Sequence, residues 1–146
     1  MVGTPPQFTI GHLSRICGCK LQTIRYYEQI GLMPPPERTA GNQRIYDARH
    51  AARLTFIRHS RELGFTLAAI RELLRLADHP ERSCATVDKI ARDQLVEVES
   101  RIKRLAALRA ELKRMVNECQ GGTVADCRIV EVLANHGHSC DVPVTT

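Results

Sequence analysis

The sequence predicts a mainly α-helical fold, in which a small winged head precedes one long amphipathic helix and a short C-terminal segment. Three observations predict it. Two short apolar helical patterns flank a glycine turn near the start, a proline-rich segment and a short strand-like stretch follow, and residues 86–118 contain neither Pro nor Gly. A chain of 146 residues with 43% hydrophobic residues has room for one modest core plus an extension.

The head is expected to begin near Thr9, because the paired prolines before it favour an extended lead-in over residues 1–8. Residues 9–32 then read as helix, glycine-containing turn and helix. Their apolar faces are predicted to comprise Ile10, Leu13 and Ile16 before the turn and Ile24, Tyr27 and Ile30 after it. This spacing is typical of a helix-turn-helix.

A small wing is predicted after the second helix. Three consecutive prolines stop that helix, Gly41 and Asn42 form a turn, and residues 43–46 are strand-like. Two further helices are expected over residues 48–61 and 66–76, the second with Thr66 as its N-cap.

Residues 86–118 predict one long helix of coiled-coil character, because apolar residues recur there at steps of three and four with charges between them. A lone helix cannot cover such a stripe, so we expect it to dimerise. Residues 119–127 read as a loop and residues 128–134 as a short apolar helix. The predicted divisions are a lead-in (1–8), a head (9–77), a linker and dimerisation helix (78–118), a loop with a short helix (119–135) and a flexible tail (136–146).

Composition narrows the classes of function. The net charge of +5 suits a polyanionic partner, whereas 4% aromatic residues and no Trp argue against stacking on single-stranded nucleic acid. The sequence shows neither a signal peptide nor an apolar run of transmembrane length, which predicts a cytoplasmic protein with no membrane association. In that reducing compartment, metal binding outranks disulfides as the role of six cysteines.

Candidate DNA-binding residues lie in the second helix and in the wing. The second helix of a helix-turn-helix enters the major groove, and wing residues add contacts to the DNA backbone. A solvated basic face is the alternative interpretation. The candidates are Gln22, Thr23, Arg25 and Tyr26 on the helix, and Arg38, Arg44 and Tyr46 on the wing.

Two segments within residues 9–74, TIRYYEQIGL and RIYD, resemble the winged head of the MerR family, and the resemblance continues over nearly the whole chain. It implies a homodimer joined by antiparallel long helices, bound to a palindromic double-stranded promoter. It also implies that Arg25, Tyr26, Arg38, Arg44 and Tyr46 lie against DNA. The resemblance further implies that metal binding distorts the promoter. RNA polymerase can then use the distorted promoter, and transcription is activated.

Three cysteines lie at the two ends of the long helix, and their spacing determines whether one chain can bring them to a single metal ion. Cys84 precedes the helix and Cys119 follows it, 35 positions on, which corresponds to about 50 Å of helix. Because metal–sulfur bonds are about 2.3 Å long, one protomer cannot bring both to one ion. An antiparallel pair of helices would set Cys84 of the partner subunit beside Cys119 and Cys127. The resemblance to metal-sensing MerR regulators implies the same three ligands; structural packing of the cysteines is the alternative.

The identity of the ion is predicted less directly. Three thiolates suit a soft or borderline divalent ion, Zn(II), Cd(II), Pb(II) or Hg(II), whereas Cu(I) or Ag(I) is content with two. The seven residues between Cys119 and Cys127 resemble the loop of the family's copper sensors, which carry Ser at the position of Cys84. We follow Cys84 and predict a divalent ion, with Cu(I) or Ag(I) as the alternative.

The remaining cysteines and histidines have less defined roles. Cys17 and Cys19 lie in the helix-turn-helix turn, where packing is favoured over metal binding. His136, His138 and Cys140 form either an auxiliary metal site or an idle tail. A redox sensor holding an iron–sulfur cluster would need four clustered cysteines. A thiol enzyme lacks the expected partner residues, so we expect no enzyme, and a simple metal buffer leaves the basic head unexplained.

Overall fold

A computed structural model describes residues 6–119 and 121–135. The fold is mainly α, as predicted: six helices and a two-stranded wing are present within these ranges. The elements are α1 (Ile10–Cys17), α2 (Leu21–Gln29), β1 (Glu37–Arg38), β2 (Arg44–Ile45), α3 (Ala48–Glu62), α4 (Leu67–Ala77), α5 (Ala85–Glu118), a 3-10 turn (Val124–Asp126) and α6 (Arg128–Asn135). The chain divides into two compact units between Gln94 and Leu95, within α5.

The core of the first unit is built from the apolar faces of its helices. Helix α1 packs against α2 and α3, and α3 packs against α4. Buried between them are Leu13, Cys17, Ile24, Tyr27, Leu32, Met33, Tyr46, Leu54, Ile57, Ile70 and Leu74. Ile16 is half exposed instead of buried, because the buried face of α1 follows the i, i+4 pair Leu13 and Cys17.

Side-chain caps fix where these helices begin. The hydroxyl of Thr9 accepts a hydrogen bond from the His12 amide at the start of α1, and Thr66 accepts one from the Ala69 amide at the start of α4, as predicted for Thr66. Asp47 caps α3 and forms a reciprocal capping box with His50. Helix α1 ends at Gly18, whose φ of 64° lies in the left-handed region that favours glycine.

The wing is a short antiparallel ladder in which Glu37 pairs with Ile45 and Arg38 with Arg44. Its turn places Asn42 at a positive φ of 65°, consistent with the predicted Gly41-Asn42 turn. Phe8 extends the ladder, because its amide and carbonyl exchange hydrogen bonds of 2.7 and 2.9 Å with Tyr46. The wing therefore already includes Phe8, the residue directly before the expected start of the fold near Thr9.

In the second unit, the 3-10 turn contacts α6. Met115 is the one residue of α5 that is buried. Among the described residues, no helix combines the length and the apolar character needed to cross a membrane.

Candidate DNA interface and metal centre

Helix α2 has a buried face that packs in the core and an opposite, exposed face that carries polar and basic side chains. Ile24 and Tyr27 anchor it in the core, whereas Gln22, Arg25 and Tyr26 are exposed and Thr23 is partly exposed. Arg25 forms no hydrogen bond or ion pair with another described residue, so its guanidinium is free for an external anion. Gln22, Thr23 and Tyr26 also line an open cleft with Arg61 of α3.

The predicted wing residues are placed differently from one another. Arg38 is exposed and donates a hydrogen bond of 3.1 Å to the Asn42 carbonyl, which braces the wing turn. Arg44 is about one-third exposed and forms an ion pair of 3.2 Å with Glu28 of α2. Arg38 and Arg44 are cross-strand partners in the ladder, and both retain guanidinium donors for phosphate.

Tyr46 is fully buried, which disagrees with its prediction as a DNA contact. Its hydroxyl donates a 2.5 Å hydrogen bond to Glu28, and its ring meets the His50 ring edge-on at 5.2 Å. Burial, followed by the hydrogen bond to Glu28, raises the pKa of Tyr46 to about 12. Tyr46 is therefore a residue that positions the wing against α2.

Glu28 was not among the predicted site residues. Its carboxylate is 9% exposed and binds both Tyr46 and Arg44. The signal in the sequence was a single acidic residue in the otherwise basic and polar α2, inside the segment TIRYYEQIGL.

Cys119 and Cys127 are brought together at the loop between α5 and α6. Cys127 immediately precedes α6 and lines the same cleft as Cys119. The backbone N–H groups of Val130 and then Ile129, together with the Cys119 side chain, lower the pKa of Cys127 by stabilising its thiolate. An anionic sulfur at a helix N-terminus is stabilised in this way.

The loop around this cysteine pair forms an open cleft of about 350 Å³. Gly121 and Gly122 both have a positive φ, a backbone conformation that favours glycine. They allow the chain to turn back toward Cys127. Arg128 lines the cleft and pairs with Glu131 at 3.3 Å. Two neighbouring thiols, one of lowered pKa, fit a soft metal ion, because the thiolate is the form that binds metal.

Cys84 lies in the first unit, whereas Cys119 and Cys127 lie in the second. It is exposed and directly precedes α5, where its carbonyl accepts a hydrogen bond from Asp88. Within the described ranges of this single chain, no three His, Cys, Asp or Glu side chains form a cluster able to hold a metal. His136, His138 and Cys140 lie outside those ranges, so the auxiliary site stays a prediction.

Comparisons with known proteins identify the class to which this head and loop belong. Residues 8–77 match the family model "MerR HTH family regulatory protein", and residues 51–115 match "MerR, DNA binding". The chain belongs to the MerR family of helix-turn-helix transcriptional regulators.

Three relatives show how far the similarity extends. The transcriptional regulator HmrR of Sinorhizobium medicae (strain WSM419) is 38% identical, over 88% of this chain and 87% of its own. The structure of the regulator PbrR691 from Ralstonia metallidurans CH34 in complex with lead(II) is 40% identical, with a TM-score of 0.71, over 86% and 98%. The structure of the regulator MerR from Bacillus megaterium MB1 in complex with mercury(II) is 30% identical in sequence, with a TM-score of 0.64. The match covers 87% of this chain and 99% of that one.

Proposed function

We propose that this protein is a homodimeric regulator that binds a palindromic promoter and activates transcription when a soft metal ion binds its cysteines. The observation that carries the proposal is that Cys119 and Cys127 line one open cleft beside the N-terminus of α6, where the pKa of Cys127 is lowered. Two relatives of at least 30% identity are described in complex with lead(II) and mercury(II). Lead(II) and mercury(II) prefer thiolate ligands, which the cysteine pair can supply.

Promoter binding rests on α2 and the wing. Arg25, Gln22 and Tyr26 offer donors and an aromatic edge to the major groove and its phosphates, while Arg38 and Arg44 reach the DNA backbone. Glu28 and Tyr46 hold these two elements in a fixed relation. The resulting interface is preorganised, so little order has to be gained on binding.

Dimerisation through α5 is supported by an apolar face that the single chain leaves uncovered. Side chains that were predicted to form the stripe are 55% to 64% exposed, namely Leu95, Ile102, Leu105, Leu108 and Leu112. The last three line an apolar groove of about 510 Å³ together with Val116. Large contiguous apolar patches of this kind mark protein interfaces, and a second copy supplies an identical stripe.

The metal site is proposed to be completed by Cys84 of the partner subunit. Cys119 and Cys127 supply two sulfur ligands, and a third thiolate gives the trigonal set suited to Zn(II), Cd(II), Pb(II) or Hg(II). Ligands from both subunits couple occupation of the site to the geometry of the dimer. We propose that the two heads then change their relative orientation and untwist the promoter between its two elements. These elements are spaced too far apart, and each surplus base pair rotates one relative to the other by about 35°. Untwisting would bring both elements onto the face of the DNA that RNA polymerase contacts.

A Cu(I)- or Ag(I)-responsive regulator is the second candidate. It is favoured by the placement of Cys119 and Cys127 on one cleft and by the seven-residue loop between them. Two thiolates in near-linear geometry satisfy a monovalent soft ion without Cys84.

Promoter-driven transcription across a panel of ions tests the proposal and separates the candidates. The wild type should respond to Cd(II), Pb(II), Hg(II) or Zn(II), and Cys84→Ser should lose that response while retaining or gaining one to Cu(I) or Ag(I). Promoter binding by metal-free Cys84→Ser should match the wild type, which controls for folding. A wild type that responds only to Cu(I) or Ag(I), with Cys84→Ser identical to it, would establish the second candidate.

A further inference from the structure

Two cysteines outside the proposed metal site occupy the turn of the helix-turn-helix. Cys17 is the last residue of α1, Gly18 is its left-handed C-cap, and Cys19 comes two positions before the first residue of α2. Packing accounts for Cys17, which is only 4% exposed in the core. Cys19 packs against the edge of the same core but is only partly buried, so its thiol remains accessible.

The turn keeps the backbones of Cys17 and Cys19 near each other. Residues two positions apart have Cα atoms within about 7 Å even in an extended chain, and the left-handed Gly18 shortens that span. Cys19 closes the turn, because its amide donates to the Ser14 carbonyl at 3.2 Å and its carbonyl accepts from the Ser14 hydroxyl at 2.5 Å. Both cysteines also belong to one apolar cluster.

The groups around Cys19 come from all three packed helices. Cys17 is contributed by α1, Arg58 and Glu62 by α3, and Tyr27 by α2. Arg58 seals the turn, since its Nη1 donates to the Cys17 carbonyl at 3.1 Å while its Nε pairs with Glu62 at 3.1 Å. A ligand held by the pair would therefore sit where α1, α2 and α3 meet.

We propose that Cys17 and Cys19 form a second dithiol site, which takes soft thiophilic ions and on loading releases the head from DNA. For a divalent ion, two S–H bonds are exchanged for two metal–sulfur bonds and two protons pass to solvent. For a trivalent arsenical such as phenylarsine oxide, two arsenic–sulfur bonds form and the oxygen leaves as water with the two thiol protons. Neither reaction requires an oxidant or a reductant.

This site should load after the C-terminal one. Cys17 is only 4% exposed and Arg58 covers its carbonyl, whereas Cys119 and Cys127 line an open cleft. An ion reaches the turn less readily than the cleft, so only strongly thiophilic ions bind there, and at higher concentration.

Loading has a direct structural cost in the head. The Cys17 sulfur lies 3.7 Å from the Ala51 carbonyl and 3.9 Å from the Thr55 hydroxyl of α3. A bound ion needs metal–sulfur bonds of about 2.3 Å to each thiolate, and the closely packed core has no space for it. Either Cys17 leaves α3 or the turn opens, and both shift α2, which begins at Leu21.

A full-length variant that keeps only these two cysteines tests the inference. Serine replaces Cys84, Cys119, Cys127 and Cys140, which removes the proposed sensor site, so failure of that site cannot affect the result. Phenylarsine oxide should bind at one equivalent per chain, with loss of two free thiols. Promoter affinity in a gel-shift assay should then fall by roughly tenfold or more, and Hg(II) should have the same effect.

Adding Cys19→Ser to this variant is the matched control. The change lies at a partly exposed position and should preserve metal-free promoter binding, while both the arsenical stoichiometry and the loss of affinity disappear. The inference is overturned if the two-cysteine variant keeps both thiols free in excess phenylarsine oxide. It is equally overturned if the loaded protein binds the promoter as tightly as the unloaded one, or if Cys19→Ser behaves identically.

Discussion

The Tyr46 hydroxyl in the wing donates a 2.5 Å hydrogen bond to the Glu28 carboxylate on α2. Arg44 completes the arrangement by pairing with the other oxygen of Glu28 at 3.2 Å. Because the pKa of Tyr46 is raised to about 12, its hydroxyl remains protonated and keeps donating throughout the physiological pH range. The wing and α2 are thus joined by a nearly buried polar cluster.

Removing the hydroxyl should weaken this junction. Tyr46→Phe leaves the nearly buried Glu28 carboxylate with Arg44 but without its phenol donor, and we expect a loss of about 1–3 kcal/mol in the free energy of unfolding. Urea denaturation measures it. Tyr26→Phe, at a tyrosine that is 48% exposed, is the matched control and should change stability by less than about 0.5 kcal/mol. Equal stability of the two variants would show that the hydrogen bond contributes nothing.

Electrostatic contact with promoter DNA should depend on Arg25. Arg25→Ala should lower promoter affinity and reduce the slope of log affinity against log salt by about one per lost phosphate contact. Arg75→Ala removes the same charge from α4, where Arg75 pairs with Glu72, and should leave the slope unchanged. An identical slope for Arg25→Ala and the wild type would remove Arg25 from the interface.

The turn between α1 and α2 should tolerate no side chain at Gly18. Its φ is 64°, and a Cβ there would lie 2.9 Å from Arg58 Nη1, so Gly18→Ala should destabilise the head by about 1 kcal/mol or more. Gly41→Ala is the control, because the nearest atom to its Cβ is 3.7 Å away. Thermal unfolding of the two variants compares them, and a Gly18→Ala variant as stable as Gly41→Ala would contradict the expectation.

The elements of the fold followed closely from local sequence signals. Thr66 was predicted as an N-cap and is one, because a Thr after a glycine and before an apolar helical pattern is a local signal. The position of Ile16 was not predictable in the same way, since Cys17 competes with it for the buried face of α1. Pairing of Phe8 with Tyr46 joins residues 38 positions apart, which no local pattern reports.

The candidate site likewise contains residues that local sequence signals identify and residues whose placement depends on tertiary contacts. Spacing and residue type singled out Cys119 and Cys127, and both residues line one cleft in the structure. The position of Tyr46 in the wing and the family resemblance predicted that it faces DNA, but whether a tyrosine points outward depends on the tertiary partner of its hydroxyl, here Glu28. The proposed meeting of Cys84 with the other two cysteines involves a second chain, so neither a local pattern nor the single chain reports it.

Dimerisation should be lost when charge enters the apolar face of α5. Leu108→Glu places a carboxylate on a side chain that is 59% exposed in the single chain and would be desolvated against a partner helix. Light scattering should report the mass of a monomer, and the metal response should disappear. Lys103→Glu changes an exposed charge on the same helix and should remain dimeric. A dimeric Leu108→Glu variant would place the interface elsewhere.

The central claim, a metal site shared between subunits, is tested most directly by metal binding to mixed dimers. Cys84→Ser and Cys119→Ser homodimers should each lose tight binding at both sites. In a mixed dimer, the Cys84→Ser chain keeps Cys119 and Cys127 while its partner supplies Cys84, so one intact site should return, at one tightly bound Cd(II) or Pb(II) per dimer. Mixed dimers that bind no more tightly than either parent would contradict the account.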